Sequence, residues 1–248
     1  MILDVKIKVL ERDGDPSWAP TAAQRAVQRS LERRRAAAAD EVARLIRAAF
    51  ELIRETGELS PRVSEILARA GLSNQAFYRH FRSKDELLAA VLDDGIQQLA
   101  GYLEHRMAKA SGPEEAVRAW LRGVLAQALE PEAARATRPF ALARGRLADE
   151  HPDEVGRSER RLTEPLRVAI EAAVEGRQLP ADTDAALGAE ALYHLAMGWL
   201  EARLIGGGAR PEAARQLEAF ALAGLRGARG SGAAARGPRV ANRGGHGA

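Results

Sequence analysis

The sequence predicts an all-α protein, and three observations carry that reading. Apolar residues recur at three- and four-residue spacing through most of the chain. Ala and Leu dominate a composition that is 46% hydrophobic but only 4% aromatic, a bias toward helix formers over strand formers. Breakers fall between the periodic runs, at Gly57, Gly71, Gly112-Pro113, Pro131, Pro152, Pro180 and Gly206-Gly207-Gly208. No pair of segments reads as a strand hairpin, and no fixed-period repeat is present.

Taken in order, residues 1–20 show weak apolar alternation (Ile2, Val5, Ile7, Val9) and then Gly14 and Pro16. They predict a loosely ordered leader, or a start placed upstream of the true one. Helical spacing begins near Thr21, where Arg25, Arg29 and Arg33 stack on one face and Arg34 and Arg35 widen it. Two readings are open: a solvated face, or an arm that grips phosphates. Asp40 is suited to cap the next helix, whose apolar face is Val42, Leu45, Ile46, Ala49, Phe50 and Ile53, and Gly57 ends it. Ser60-Pro61 is a start signal for a two-turn helix carrying Val63, Ile66, Leu67 and Ala70, stopped by Gly71. Ser73 caps a third short helix with Phe77 and Phe81 one turn apart, and Ser83-x-x-Glu86 is a capping box for a long fourth. Further helices are predicted over 84–110, 113–129, 131–149 with a break at Pro139, 153–176, 182–206 and 211–225. The Gly-, Arg- and Pro-rich remainder cannot bury a core and is predicted to be disordered. This organisation gives four regions: a leader and basic helical arm (1–37), a helix-turn-helix head (38–98, motif 62–81), a helical C-terminal domain (99–225) and a basic tail (226–248).

The 248 residues suffice for one large domain or two modest ones, and their net charge of +3 is unevenly spread. From Thr21 to Lys84 there are 13 basic and 7 acidic residues; from Asp85 to Leu225 there are 16 basic and 23 acidic. A basic block joined to an acidic one suggests that one part faces a polyanion. There is no cysteine, hence no disulfide or Cys-based metal site. No uninterrupted apolar run of about 18 residues exists, so no membrane span is expected, and the N-terminus is a poor secretory signal. A cytoplasmic protein is expected. Five scattered histidines, with no HExxH, no phosphate-binding Gly-rich loop and no GxSxG, argue against catalysis. No cofactor and no metal is expected, and Glu150-His151 and Asp153-Glu154 read as solvated charge.

The stretch from Val63 to Phe81 reads as a unit. A short helix stops at a glycine, a three-residue turn follows, and a second helix starts near Asn74. Ile66, Ala70, Leu72, Phe77 and Phe81 are expected to point inward. Asn74, Gln75, Tyr78 and Arg79 are expected to point outward. That is a helix-turn-helix, a motif whose second helix can enter a major groove. Asn and Gln suit the adenine edge, Arg the guanine edge or a phosphate, and Tyr and His can donate to phosphate oxygens. The capped helix start at Ser83, with Lys84 beside it, offers backbone N–H groups and a positive charge to another phosphate. The plainer readings are that Tyr78 closes the core edge, that His80 is an ordinary half-buried histidine, and that Asn74 and Gln75 are helix-start residues.

Residues 40–92 resemble the DNA-binding domain of the tetracycline-repressor (TetR) family of transcriptional regulators. The matching pieces are the apolar helix ending in ETG, then VSEILARAGLSNQAFYRHF, then SKDELLAAVL. The resemblance implies phosphate contacts from Tyr78, His80 and Lys84, and groove-facing positions for Asn74, Gln75 and Arg79. Two departures stand out. Leu67 occupies a position where the family has a small residue. Ser60-Pro61-Arg62 replaces a Thr-rich start to the second helix, so the phosphate contact expected there passes to Arg62.

Beyond residue 92 the resemblance implies only architecture: a variable helical domain that binds a small molecule and dimerises through its last two long helices, here about 182–206 and 211–225. The first carries Ala185, Leu192, Leu195, Ala196, Trp199 and Leu200, with Gly188, Ala189 and Gly198 permitting close approach. Burial within one chain would produce the same stripe. Candidate pocket residues are Tyr102, Trp120, Phe140, Tyr193, His194 and Met197; Arg138, Arg144 and Arg146 form either a polar rim or solvated charge. The expected partners are double-stranded DNA with a near-palindromic operator, a second copy of the chain, and a small-molecule effector. The expected role is a repressor released by that effector. A helical scaffold that binds DNA without sequence preference is the alternative.

Overall fold

The computed structural model describes residues 21–150, 152–208 and 210–227, without the side chains at positions 143, 144, 146, 147 and 154. The expectations for the leader, for the tail beyond residue 227, for His151 and for the side chains of Arg144 and Arg146 lie outside these residues. Among the described residues the chain forms nine α-helices and no strand. They are α1 (Ala22–Thr56), α2 (Val63–Ala70), α3 (Asn74–His80), α4 (Lys84–Ala108), α5 (Pro113–Leu129), α6 (Pro131–Glu150), α7 (Pro152–Glu175), α8 (Ala185–Gly206) and α9 (Pro211–Gly227). The all-α expectation holds. No described helix is long and apolar enough to cross a membrane.

The chain divides into two compact units, residues 1–43 and 44–248. In the first, α1 opens with a reciprocal cap. Thr21 N–H donates to Gln24 Oε1 at 2.7 Å, and Gln24 N–H donates to Thr21 Oγ1 at 3.2 Å. Arg25, Arg29, Arg33, Arg34 and Arg35 are all exposed. Asp40 does not start a helix. The run Ala36–Ala39 has the highest helix propensity and no breaker, so α1 continues through it for 35 residues.

The second unit begins at Arg44 and contains the head. Leu45, Ala49 and Ile53 of α1, Ile66 of α2, Phe77 of α3 and Leu87 and Leu88 of α4 are all essentially inaccessible to water. The caps are local and specific. Ser73 Oγ accepts from Ala76 N–H at 3.2 Å, and Ser83 Oγ accepts from Glu86 N–H at 3.1 Å. The Glu86 carboxylate reaches back to Arg82 N–H at 2.6 Å, one residue further out than a simple capping box. Ser60 does not cap α2. The helix starts at Val63, where the Glu65 carboxylate accepts from Arg62 N–H at 3.1 Å, and Ser60 Oγ instead accepts from Lys84 Nζ at 2.6 Å.

The body is built around α5, whose Val117, Trp120, Leu121 and Val124 are fully buried against Leu166 and Ile170 of α7, Leu192 and Ala196 of α8 and Leu222 of α9. Each buried Val or Leu of this set contributes about 1.5–3 kcal/mol relative to exposure. Gly123 lets α5 approach α4, since a Cβ there would stand 2.4 Å from Leu103 Cδ2. The long α4 is tied to α7 by Asp93, which accepts from Arg161 Nη1 at 2.9 Å and from Ser158 Oγ at 3.4 Å. The expected break at Pro139 is absent: α6 runs through it. Pro139 is buried, and its packing offsets the lost backbone bond. Helix α8 starts at Ala185 rather than 182, because Asp184 Oδ1 caps it by accepting from Ala186 and Leu187 N–H at 3.0 and 3.1 Å.

Candidate nucleic-acid interface and apolar cleft

The turn between α2 and α3 is made by Gly71, whose φ of 62° and ψ of 42° lie in the left-handed region. Leu72 N–H closes the end of α2 on Leu67 carbonyl at 3.1 Å. Arg44 then clamps this end from α1: its Nε donates to Ala70 carbonyl at 3.0 Å and its Nη2 to Gly71 carbonyl at 3.1 Å. A guanidinium at a helix C-terminus also complements the helix dipole. A Cβ at position 71 would lie 3.1 Å from Arg44 Nη2. Gly71→Ala is therefore expected to lower stability by about 1–2 kcal/mol, chiefly from the left-handed backbone. Thermal unfolding should show Gly71→Asn falling between alanine and the parent, since Asn tolerates that conformation better.

A second tie joins α1 to α2. Arg69 Nη1 donates to Glu55 Oε1 at 2.7 Å, and this bond holds the Glu55 carboxyl below its usual range. The contribution of this exposed pair is present above the ordinary carboxylate pKa and is lost as pH falls through the lowered value.

On this scaffold α3 presents a polar outer face. Phe77 is 1% exposed and Phe81 6%, with ring centroids 5.9 Å apart; Tyr78, edge-on to Phe77 at 5.2 Å, is 66% exposed. Asn74, Gln75 and Arg79 are exposed, and His80 is half-buried. Arg79 and His80 both have interactions within the chain. Lys84 is half-buried, with its ammonium on Ser60. Arg62 is exposed at the start of α2. Leu72, expected inside, is only half-buried, and Leu67 is buried at 7%. Sequence reasoning missed Arg44 and the bond from Lys84 to Ser60, which position the motif from outside it. Arg44 shares its helix face with no obvious partner in sequence, so no linear signal marks it.

Two adjacent apolar spaces lie among these helices. A cleft of about 310 Å³ lies between α1, α4, α5 and α6, lined by Phe50, Val91, Leu99, Tyr102 and Phe140 among others. A smaller chamber of about 100 Å³ lies between α4, α6, α7 and α8, lined by Val155, Glu159, Tyr193, Met197 and Glu201 among others. Tyr102, Phe140, Tyr193 and Met197 therefore line these spaces. Trp120 and His194 line neither. Trp120 is fully buried and its indole N–H donates to Leu162 carbonyl at 3.0 Å, which makes it core. His194 is exposed and lies in a polar depression with Arg160, Glu164 and Arg167. Arg138 is spent on Leu204 carbonyl at 3.0 Å. Leu92, Ile96 and Thr137, which line both spaces, were not singled out from sequence, because aliphatic residues on a long helix look the same whether they face a core or a cavity.

The α8 stripe also divides. Gly188, Ala189, Leu192, Ala196 and Leu200 are buried within the chain. A separate outer groove is formed by Leu187, Ala191, Leu195, Phe220 and Gly224 of α8 and α9, with Leu187 60% and Phe220 66% exposed. Thr183 Oγ1, beside this groove, is buried without a hydrogen-bond partner among the described residues. Among the described residues no group of acidic or histidine side chains could hold a metal ion.

A rigid helix-turn-helix head with a polar second helix, on an all-helical body holding an apolar cleft, defines a DNA-binding transcriptional regulator. Residues 45–91 match the family model for bacterial regulatory proteins of the tetR family. Residues 45–91 are thus similar to the DNA-binding domain of tetR-family regulatory proteins. Solved structures share the fold. A TetR transcription regulator from Haloarcula marismortui superposes with a TM-score of 0.62 at 17% identity, over 77% of this chain and 99% of that one. The transcriptional regulator FadR from Bacillus subtilis, in complex with stearoyl-CoA, gives 0.60 at 15% identity, over 74% and 98%. A TetR/AcrR-family transcriptional regulator from Thermobifida fusca gives 0.58 at 24% identity, over 75% and 99%. Among curated protein sequences none matches this chain.

Proposed function

We propose that the protein is a homodimeric, sequence-specific repressor that a small-molecule effector releases from DNA. The observation that carries this reading is the outer face of α3, where Asn74, Gln75, Tyr78 and Arg79 stand exposed on the buried Phe77. Two copies of α3 enter successive major grooves of a near-palindromic operator, with Asn74, Gln75 and Arg79 at base edges. Arg62, Tyr78, His80 and Lys84 contact phosphates and set the register. The exposed arginines of α1 add phosphate contacts of their own. The head of residues 38–98 and the body of 99–225 divide the work, and the protein acts in the cytoplasm.

The groove of Leu187, Ala191, Leu195, Phe220 and Gly224 supports dimerisation. It exposes large apolar side chains on the last two helices, and a second chain there gives Thr183 a place to find its missing partner. The apolar cleft supports an effector. A FadR structure similar in fold holds stearoyl-CoA, and another similar structure, RolR, holds resorcinol. Phe50 of α1 lines the cleft beside Val91 and Leu92 of α4. A ligand that favours one arrangement of α4 against α1 thereby changes the separation of the two heads.

The test is selection from a random DNA pool with purified protein at about 150 mM salt, where charge-only binding is already weakened. A palindromic consensus, lost in a Gln75→Ala variant, is the expected result. An unenriched pool, with binding that fades steeply as salt rises, would establish the sequence-blind DNA-binding alternative instead.

A further inference from the structure

The cleft and the chamber adjoin, with Leu92, Ile96, Leu99, Thr137 and Phe140 lining both, and together they make the candidate ligand space. Its polar groups have a consistent character. In the cleft they are uncharged: Gln98, Tyr102, Gln127 and Thr137. Gln98 Nε2 donates to Asp94 Oδ2 at 2.7 Å, and Gln127 Nε2 donates to Gly123 carbonyl at 3.3 Å. A carboxylate and a carbonyl accept only, so both amides are oriented by their partners, and each keeps its Oε1 as an acceptor. Tyr102 Oη accepts from Arg106 Nη1 at 2.8 Å, which leaves its own proton to donate. Thr137 sits at the junction of the two spaces, and among the described residues its hydroxyl has no partner.

The chamber is different. Its walls are Leu92, Ile96, Val155, Met197 and Leu200, and its two carboxylates, Glu159 and Glu201, are engaged within the chain. Tyr193 Oη donates to Glu159 Oε1 at 3.4 Å. No basic side chain among the described residues lines either space. An anionic headgroup would find hydroxyl donors but no compensating cation in the cleft, and carboxylates in the chamber. A cationic one would meet carboxylates whose interactions are already made. A neutral hydroxyl can donate to a glutamine Oε1 and accept from Thr137 at once.

We propose that the space takes an uncharged, elongated apolar molecule with a hydroxyl or similar neutral donor, its polar end between Thr137 and Gln127 and its chain in the chamber. This rests on reading the cleft as the effector site. The assignment sets the protein apart from its fold neighbour with stearoyl-CoA, whose ligand is a polyanion.

The test compares three ligands with one chain length, decan-1-ol, decanoate and decyltrimethylammonium, titrated calorimetrically into the full-length protein below their aggregation concentrations. Decan-1-ol should bind at least about tenfold more tightly than either ion. The near-isosteric Thr137→Val should weaken decan-1-ol about three- to tenfold and leave thermal unfolding of the free protein unchanged. Tighter or equal binding of decanoate or of decyltrimethylammonium overturns the headgroup assignment and leaves the effector site standing. Binding of decan-1-ol that Thr137→Val and Gln127→Leu both leave unchanged overturns the placement of the polar end. Failure of all three to bind overturns this proposal together with the effector-site reading.

Discussion

Phe77→Ala is expected to weaken DNA binding by destabilising the head, and Tyr78→Ala to weaken it about 10²–10⁴-fold with the head intact. The two residues are adjacent on a seven-residue helix but differ in burial, at 1% and 66% exposed. Truncating a buried Phe costs about 3–5 kcal/mol, from lost transfer energy and from the cavity left behind. A helix of seven residues has no stability of its own to draw on, because helices shorter than about 12–15 residues are marginal in water. Its position depends on Phe77 and Phe81 below it and on the Ser73 cap. The loss is a large part of the 5–15 kcal/mol typical of a whole domain. Tyr78→Ala, by contrast, changes a solvent-facing side chain, and its stability effect should stay within about 0.5 kcal/mol apart from the edge contact with Phe77. Its effect falls on affinity. A hydrogen bond to a charged phosphate is worth about 1.5–3 kcal/mol, and a dimer loses two, so operator affinity should fall by about 10²–10⁴. Circular dichroism melts beside binding isotherms separate the two outcomes. A Tyr78→Ala protein that melts like the parent and binds the operator equally well would remove Tyr78 from the interface.

The second large effect is expected where α9 meets α5. Glu218 is 7% exposed and receives two bonds from Arg122, Nε to Oε2 at 2.9 Å and Nη2 to Oε1 at 2.7 Å, with Arg118 Nη1 at 3.4 Å. Its bonds to the Glu218 carboxylate hold Arg122 above the ordinary guanidinium range. Arg118 continues the network to Glu114 at 2.9 Å, and Arg226 of α9 joins the same carboxylate at 2.5 Å. Arg122→Ala leaves a nearly dry carboxylate with one weaker partner. Breaking a fully buried pair costs about 3–5 kcal/mol, but Arg122 is about half exposed and Arg118 remains, so about 1–3 kcal/mol is expected here. Glu218→Leu should cost less, because the stranded Arg122 can turn to water. The double variant Arg122→Met with Glu218→Leu should approach the parent. Urea denaturation measures all three. Because α9 also carries Phe220, Arg122→Ala should weaken the proposed dimer and with it operator affinity. Equal losses for Arg122→Ala and Glu218→Leu would show that burial of the carboxylate is not what makes the site sensitive.

The head was almost wholly legible in the linear chain. Its caps, its glycine turn and its apolar positions all lie within a few residues of the backbone they control. Ser73, Gly71 and Ser83 act on neighbours three residues away or fewer, and Phe77 and Phe81 announce themselves by one-turn spacing. One error within it, at Asp40, came from the helix propensity of the alanine run before it, and another from a long-range alternative to local chemistry. Ser60 has the chemistry of a cap, but Lys84, 24 residues away, takes its hydroxyl, and Glu65 serves the start of α2.

Helix existence in the body was equally readable, since each apolar run between breakers had to form a helix to bury its stripe. What a stripe faces is another matter. A 3.6-residue period says that one side of α8 is apolar; it does not say that Leu192 and Ala196 turn into the chain while Leu187 and Ala191 turn out. Aromatic spacing placed Tyr102, Phe140 and Trp120 on equal footing, yet two line a cavity and the third is sealed with its N–H on Leu162. Pro139 carries a local signal to break α6, and burial of its ring overrides that signal. The Arg122–Glu218 pair joins residues 96 positions apart, beyond any local rule. The sequence therefore specified the helices, most of their ends and the exposed polar face of α3, because those depend on backbone hydrogen bonds and side chains a turn apart. The cavity, the outer groove and the ion pair that seats α9 arise only when the helices compete for the same neighbours, and that competition has no trace in residue spacing.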